Sequence, residues 1–398
     1  MPSNFIRERD QMSVKPPFNP GYAAAVLLSM TAAMAVPKKP VLGFYPNYTT
    51  PNIDYTKLTH IMFAFAVPGA SGEISNPFIP ADVVTKAHAA GVKVIVSVGG
   101  AQPLSLSDAF RSIAANATAR SNFAKNAKSL CDTRSVDGID IDWEYPRDSQ
   151  DSTNLTLLLK DLRAALGTKL ITMDVAADGE KGIWVGRSAV PYIDFLNVMS
   201  YDYTGEWAGS PQGQHAPYNK AVTGMGYWRV RGFAKTQLIL GVPFYGKRFP
   251  GGSPVKYSEI AAANPSLSPD ADSVGTTWFN GPTTIKKKAT YVAQNSFGGI
   301  MVWELSQDAP SGPKSLMDAI QEGLKADPLT SVFGRSDGAP VLNALGRSGK
   351  VWLSLTSNPA TFPRLRDMRG RAAFSPTLLS AAASQAAGAY IIQPEQAR

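Results

Sequence analysis

Residues Asp137 to Pro146 read DGIDIDWEYP, which places four carboxylates in eight residues, interleaved with Ile139, Ile141 and Trp143. In a strand, successive side chains point to opposite faces. Asp140, Asp142 and Glu144 therefore share one face, and the three apolar residues share the other. The apolar face suits packing beneath helices, which aims the acids into an enclosed interior. A solvated acidic edge would not need Ile, Ile and Trp at its alternate positions.

Outward from this stretch, between Val41 and Asp308, seven further apolar runs recur: VLGFYPNY, HIMFAFA, KVIVSVGG, LITMDVAA, FLNVMSYDY, LILGVPFYG and GIMVWEL. Near-continuous apolar runs of this length suit parallel strands covered on both faces. Helix-like stretches separate them. ADVVTKAHAAG stops at Gly91, and SDAFRSIAANATARSNFAKNAKSL opens on Ser107-Asp108. TNLTLLLKDLRAALG ends on Gly167, GPTTIKKKATYVAQN has Pro at its start, and GPKSLMDAIQEGL follows the last run. Eight strand–helix alternations predict an α/β fold, a (β/α)8 TIM barrel. Its first unit is the weakest, because TPNIDYTKL holds barely two helical turns. Asn47, Ser97, Glu144, Asp202 and Glu304 fall at the C-terminal ends of the runs, the rim where such barrels place their chemistry.

Three inward carboxylates at steps of about 6.5–7 Å cannot all ionise cheaply. At least one should hold a proton near neutral pH. Glu144 is nearest the rim and has the longest reach, so it is the expected proton donor. Asp142 shares charge with it, and Asp140 anchors Asp142 from deeper in the barrel. The rival reading is a Mg²⁺ or Mn²⁺ site of the kind found in nucleotide-sugar transferases. Against it, the chain shows no Gly-rich phosphate loop or basic cluster to hold a diphosphate.

The rest of the composition narrows the classes. The single Cys131 excludes an intrachain disulfide, and the three histidines, His60, His88 and His215, make a zinc site unexpected. Of the net charge of +8, residues from Phe333 onward carry +5 and residues up to Pro37 carry +1. The body is nearly neutral, so a nucleic-acid partner is not expected and an uncharged ligand fits better. Tyr22 to Ala35, YAAAVLLSMTAAMA, reads as the apolar core of a signal peptide spanning 1–35, with Met12 as an alternative start. Secretion is then expected, as a monomer with no membrane partner after removal of the signal. Residues 333–398 are basic and rich in Ala and Ser, and are expected to form a disordered extension beyond a catalytic barrel at 38–332.

DGIDIDWEYP resembles the D-G-x-D-x-D-x-E signature of glycoside hydrolase family 18, the chitinases. Ser97 to Gly100 (SVGG) resembles the family's S-x-G-G, and Met199 to Tyr203 (MSYDY) its M-x-Y-D; GVPFYG and VWEL resemble its seventh and eighth strands. The resemblance spans about Pro40 to Asp327 and implies the same barrel. It also implies substrate-assisted, retaining hydrolysis of chitin or chitooligosaccharides without a cofactor. A conventional retaining site needs two carboxyls about 5–5.5 Å apart, flanking the sugar. Acids on one face of one strand do not easily flank it. By the resemblance, Glu144 protonates the glycosidic oxygen and later activates water. Asp142 orients the 2-acetamido N–H, Asp140 tunes Asp142, and Tyr201 holds the acetamido carbonyl with Asp202 and Met199 near the same subsite.

Trp303 resembles the family's tryptophan at the floor of the cleaved sugar's subsite. Tyr45 and Phe65 are candidates for the same pocket, Tyr145 and Trp207 for the leaving-group wall, and Ser97 for a hydrogen bond to Asp140. Trp143 is expected to be structural, and Asp137 to bind backbone at the strand entry. Many family members carry an α/β insertion between strands seven and eight. Here that segment is short, so little or no insertion is expected, and an open groove favours internal cleavage. The alternatives are an endo-β-N-acetylglucosaminidase acting on N-glycans and a chitin-binding lectin that has lost its acid.

Overall fold

The computed structural model describes residues 39–326 apart from Asn76, together with the backbone of two short strands, Leu342–Leu345 and Trp352–Leu355. The expected signal segment lies outside the described residues. So does most of the expected C-terminal extension, in which those two strands pair antiparallel.

Eight parallel strands close on themselves. They are β1 (Val41–Pro46), β2 (His60–Pro68), β3 (Lys93–Gly99), β4 (Gly138–Asp142), β5 (Leu170–Ala176), β6 (Phe195–Met199), β7 (Leu238–Pro243) and β8 (Gly299–Trp303). Each pairs with the next in sequence, and β1 pairs with both β2 and β8, which seals the barrel. Every apolar run of the sequence supplies one strand. The strands are buried on both faces: a large outer core lies between barrel and helices, and a smaller inner core contains Leu42, Phe44, Met62, Ala64, Ile95, Ile239 and Met301.

The helices follow the capping chemistry. Helix α1 (Ala81–Ala89) is followed by Gly91 at φ +71°. The long predicted helix is two, α2 (Ser105–Ala115) and α3 (Ala117–Arg134). They break at Asn116, whose side-chain oxygen accepts the N–H groups of Thr118 and Ala119 and so starts α3 afresh. Helix α4 (Ser149–Leu166) begins four residues before the predicted Thr153, because Asp148 caps it by accepting from the Asp151 N–H. Helices α5 (Tyr218–Val230), α6 (Pro282–Gln294) and α7 (Leu316–Gly323) complete the ring. The first connection holds only a 3₁₀ turn, Tyr55–Lys57, as its length predicts.

Between β7 and β8 the insertion is small but present. Tyr245–Arg248, Ser253–Lys256, Ser273–Val274 and Thr277–Trp278 form a four-stranded antiparallel sheet, with a short helix at Tyr257–Ala263. Its first strand starts two residues beyond β7, so it grows directly from the barrel rim.

Candidate active site

Strand β4 turns its side chains as the alternation predicts. Ile139, Ile141 and Trp143 lie in the outer core. The Trp143 indole stacks on Phe110 at 5.8 Å and donates its N–H to Ser107 Oγ at 3.0 Å. Asp137, at the strand entry, accepts the Val94 N–H at 2.7 Å and lies 2.9 Å from His88 Nε2. The acids face inward. Asp140 is fully buried and accepts from Ser97 Oγ at 2.7 Å, Thr172 Oγ1 at 2.5 Å and Asn197 Nδ2 at 3.3 Å. Asp142 sits above it, also buried, and its Oδ1 has no hydrogen-bond partner among the described residues. Glu144 lies at the rim, half-buried.

The backbone makes room for this arrangement at Gly99 and Gly100, with φ +117° and +107°. A Cβ on Gly99 would fall 2.2 Å from the Asp142 carbonyl oxygen, which the Gly100 N–H meets at 3.0 Å. Only glycine allows that approach. The SVGG motif thus serves the acidic strand from its neighbour, through Ser97 to Asp140 and through the glycines to Asp142.

A cleft of about 1390 Å³ opens over the C-terminal ends of the strands. Asp142, Glu144, Tyr145, Met199, Tyr201, Asp202, Trp207, Phe65 and Trp303 line it, so nine of the expected site residues converge there. Trp303 forms an aromatic floor with Phe65, stacked at 5.7 Å, and Phe44 at 5.1 Å. Trp207 is 51% exposed on a loop at the cleft edge.

One expectation needs correction. Tyr45 does not line the cleft. It points to the outer core, packed on Phe63 at 5.6 Å and Phe78 at 5.3 Å, and its neighbour Phe44 faces inward. Ser97, fully buried beneath the cleft, makes the expected hydrogen bond to Asp140 and does not line the cleft. Glu304, which had no expected role, is buried and caps the next turn by accepting from the Ser306 N–H and Oγ–H.

Burial and mutual repulsion set the protonation states. Asp142 is pushed well above the ordinary carboxylate range, by burial first and then by the charges of Glu144 and Asp140. Burial also raises Glu144; the Tyr145 hydroxyl and Lys181 oppose this, and the Asp202 charge adds to it. Asp140 is raised by burial against the pull of its Thr172, Ser97 and Asp174 hydrogen bonds. Glu144 is thus suited to hold a proton at the cleft, a general acid's first requirement.

Asp202 behaves in the opposite way. Burial by itself would raise it, but His215, Lys247 and Tyr245 outweigh burial and hold it below the usual range. Its Oδ1 accepts from the Tyr245 hydroxyl at 2.7 Å and lies 3.2 Å from Lys247 Nζ and 3.4 Å from His215 Nδ1. Asp202 itself adopts a left-handed backbone, φ +58°, a conformation Asp tolerates better than most residues. Tyr245 and Lys247 come from the small insertion, and His215 from the loop before α5. Sequence reasoning missed these three and also Asp174, an inward acid on β5. None is near β4 in the chain.

Tyr201 lies between these groups, and its hydroxyl is 3.9 Å from Met301 Sδ. Burial, then the charges of Asp174 and Asp142, push it well above the ordinary tyrosine range, so it stays a donor. The arrangement supplies one acid at the rim, a buried acceptor below it, a phenol donor beside both and an aromatic floor.

The family model for the glycosyl hydrolases family 18 matches residues 40–308. Chitinase 63 of Streptomyces plicatus is 30% identical over 292 residues, covering 60% of this chain and 47% of that protein. Chitinase 1 of Aphanocladium album is 25% identical over 368 residues, covering 72% of this chain and 84% of its own length. The chain therefore spans about half the length of the first relative and most of the second. A chitinase crystal structure from Bacteroides thetaiotaomicron superposes with a TM-score of 0.65 at 25% identity, over 74% of this chain and 99% of that one. With the barrel, the acidic strand and the matched span in agreement, this chain belongs to glycoside hydrolase family 18.

Proposed function

We propose that the protein is a secreted endochitinase. It hydrolyses internal β-1,4 linkages between N-acetylglucosamine units with retention of configuration, using the substrate's own acetamido oxygen as nucleophile. The observation that carries this reading is the unpartnered, buried Oδ1 of Asp142 beneath Glu144. A buried acceptor without a donor is costly, and an acetamido N–H from a bound sugar would satisfy it.

In that complex Glu144 gives its proton to the glycosidic oxygen, and the bond to the anomeric carbon breaks. The acetamido oxygen attacks that carbon from the opposite face, with its N–H held by Asp142 and its position fixed by the Tyr201 hydroxyl. The resulting oxazolinium ion is positive, and Asp142 lies beside it to balance the charge. Glu144, now a base, takes a proton from water as the water opens the ring. Only one carboxyl needs to reach the bond, consistent with Glu144 being the one acid of β4 at the rim.

Internal cleavage is supported by the shortness of the insertion between β7 and β8, and secretion by the signal-like Tyr22 to Ala35. The reading is tested by following a chitin oligosaccharide by proton NMR. Retention gives the β-anomer first, and cleavage of internal bonds gives mid-length products. An initial α-anomer would overturn the mechanism, and release of end units alone would overturn the endo mode.

A further inference from the structure

Strand β5 carries one inward acid that the mechanism above does not use. Asp174 is 1% exposed and paired in register with Asn197 on β6. On its other side β5 runs beside β4, with Thr172 opposite Asp140, so Asp174 lies two residues further up, toward the level of Asp142. It borders the cleft, and its Oδ1 has no hydrogen-bond partner among the described residues. The groups facing it are Asp140 and Asp142 from β4, Asn197 from β6 and Tyr201 beyond the end of β6.

Three buried aspartates thus lie together, and they cannot all be ionised. The donors decide which of them is the anion. Asp140 receives hydrogen bonds from Ser97, Thr172 and Asn197, which favour its charged form. Asp142 has to balance the positive intermediate. Asp174 has an idle oxygen and a carboxylate neighbour, and two carboxyl groups can bond to each other only through a proton.

We propose that Asp174 is a further positioning residue, which stays protonated and donates a hydrogen bond to Asp140, keeping Asp140 an anion beneath Asp142. Burial and the charges of Asp140 and Asp142 push Asp174 well above the ordinary range, against the smaller pull of a hydrogen bond from Asn197. In return the hydrogen bond from Asp174 pulls Asp140 down. The proton that moves in each turnover then belongs to Glu144 and Asp142, while the proton on Asp174 remains in place. The role in turnover rests on the reading of the previous subsection; the location of the proton does not.

Infrared spectroscopy of the full chain near neutral pH reads the proton directly. The wild type should show a protonated-carboxyl C=O band, and Asp174→Asn should lose part of it. Absence of such a band in the wild type, or an unchanged band in the variant, would overturn the proposal. Kinetics add a readout that a merely structural role would not move. Asp174→Asn keeps a neutral donor and should retain kcat within about threefold, with an unshifted pH profile. Asp174→Ala leaves Asp140 short of a donor and should lose roughly 10- to 100-fold in kcat. With Asp140 then more readily protonated, Asp142 and Glu144 feel less negative charge, so the alkaline limb of kcat should move to lower pH. Equal effects of Asn and Ala, or an Asp174→Leu that folds where Asp174→Asn does not, would refute the proposal. A wild type without turnover on chitin oligosaccharides would instead sink the functional reading and leave the spectrum to decide this one.

Discussion

Lys288 on α6 is fully buried, and among the described residues its ammonium meets no carboxylate. Its Nζ donates to the Ala216 carbonyl at 2.8 Å and to Asn280 Oδ1 at 2.7 Å. Ala216 follows His215, so this lysine fastens the loop that faces Asp202. Burial lowers its pKa from 10.5 to about 7. The unfolded chain therefore binds a proton up to about pH 10, whereas the folded chain gives it up above about pH 7. Between those values the unfolded state holds more protons, so stability rises with pH, by at most about 1.4 kcal/mol per pH unit. From pH 7 to pH 9 the gain from this one group is about 2 kcal/mol. Lys288→Met removes that slope and also the cost of burying the charge, about 4 kcal/mol at pH 7. It leaves two buried oxygens without their donor, at about 1–3 kcal/mol each. The two effects nearly cancel at pH 7, so the slope is the informative quantity. Urea unfolding of wild type and variant at pH 7, 8 and 9 measures it, since other titrating groups contribute equally to both. The stability difference should move by about 2 kcal/mol in favour of the wild type as pH rises. A difference constant to about 0.5 kcal/mol would mean that Lys288 keeps its proton through this range.

Other predictions concern the site itself. Lys247→Met removes a cation from Asp202 and should raise its pKa, so the wild type's stability advantage from this pair, present near neutral pH, should shrink as pH falls through the acid range. A stability difference independent of pH would contradict the pairing of Lys247 with Asp202. Ser97→Ala deletes one donor to the buried Asp140 and should lower unfolding stability by about 1.5–3 kcal/mol, read by chemical denaturation. Trp303→Ala should raise KM for a chitin oligosaccharide about tenfold or more, through lost apolar contact. Trp303→Phe should recover most of it, and an unchanged KM in the alanine variant would place the floor elsewhere.

Much of this architecture was legible in the sequence because a parallel barrel strand, buried on both faces, leaves an apolar run of strand length. The acids of β4 were legible for the complementary reason: alternation with Ile139, Ile141 and Trp143 fixes which face they occupy. The same property hid the orientation of β1. With both faces apolar, VLGFYPNY gives no signal that Phe44 turns inward and Tyr45 outward. Asp174 was hidden because a single Asp in LITMDVAA gains meaning only from the register that sets β5 against β4. His215, Tyr245 and Lys247 reach Asp202 from a loop and from the insertion, and no local pattern links them. The break at Asn116 had a local signal, a capping Asn followed by Ala and Thr, inside a pattern helical enough to mask it.

The most direct test is hydrolysis of a chitin oligosaccharide by the wild type and by Glu144→Gln, each with and without EDTA. Turnover should be unaffected by EDTA and should fall by about 10²- to 10⁴-fold in the variant, with oligosaccharide binding retained. Wild-type binding without turnover, or turnover abolished by EDTA, would contradict this, the first pointing to a lectin and the second to a metal on the acidic strand.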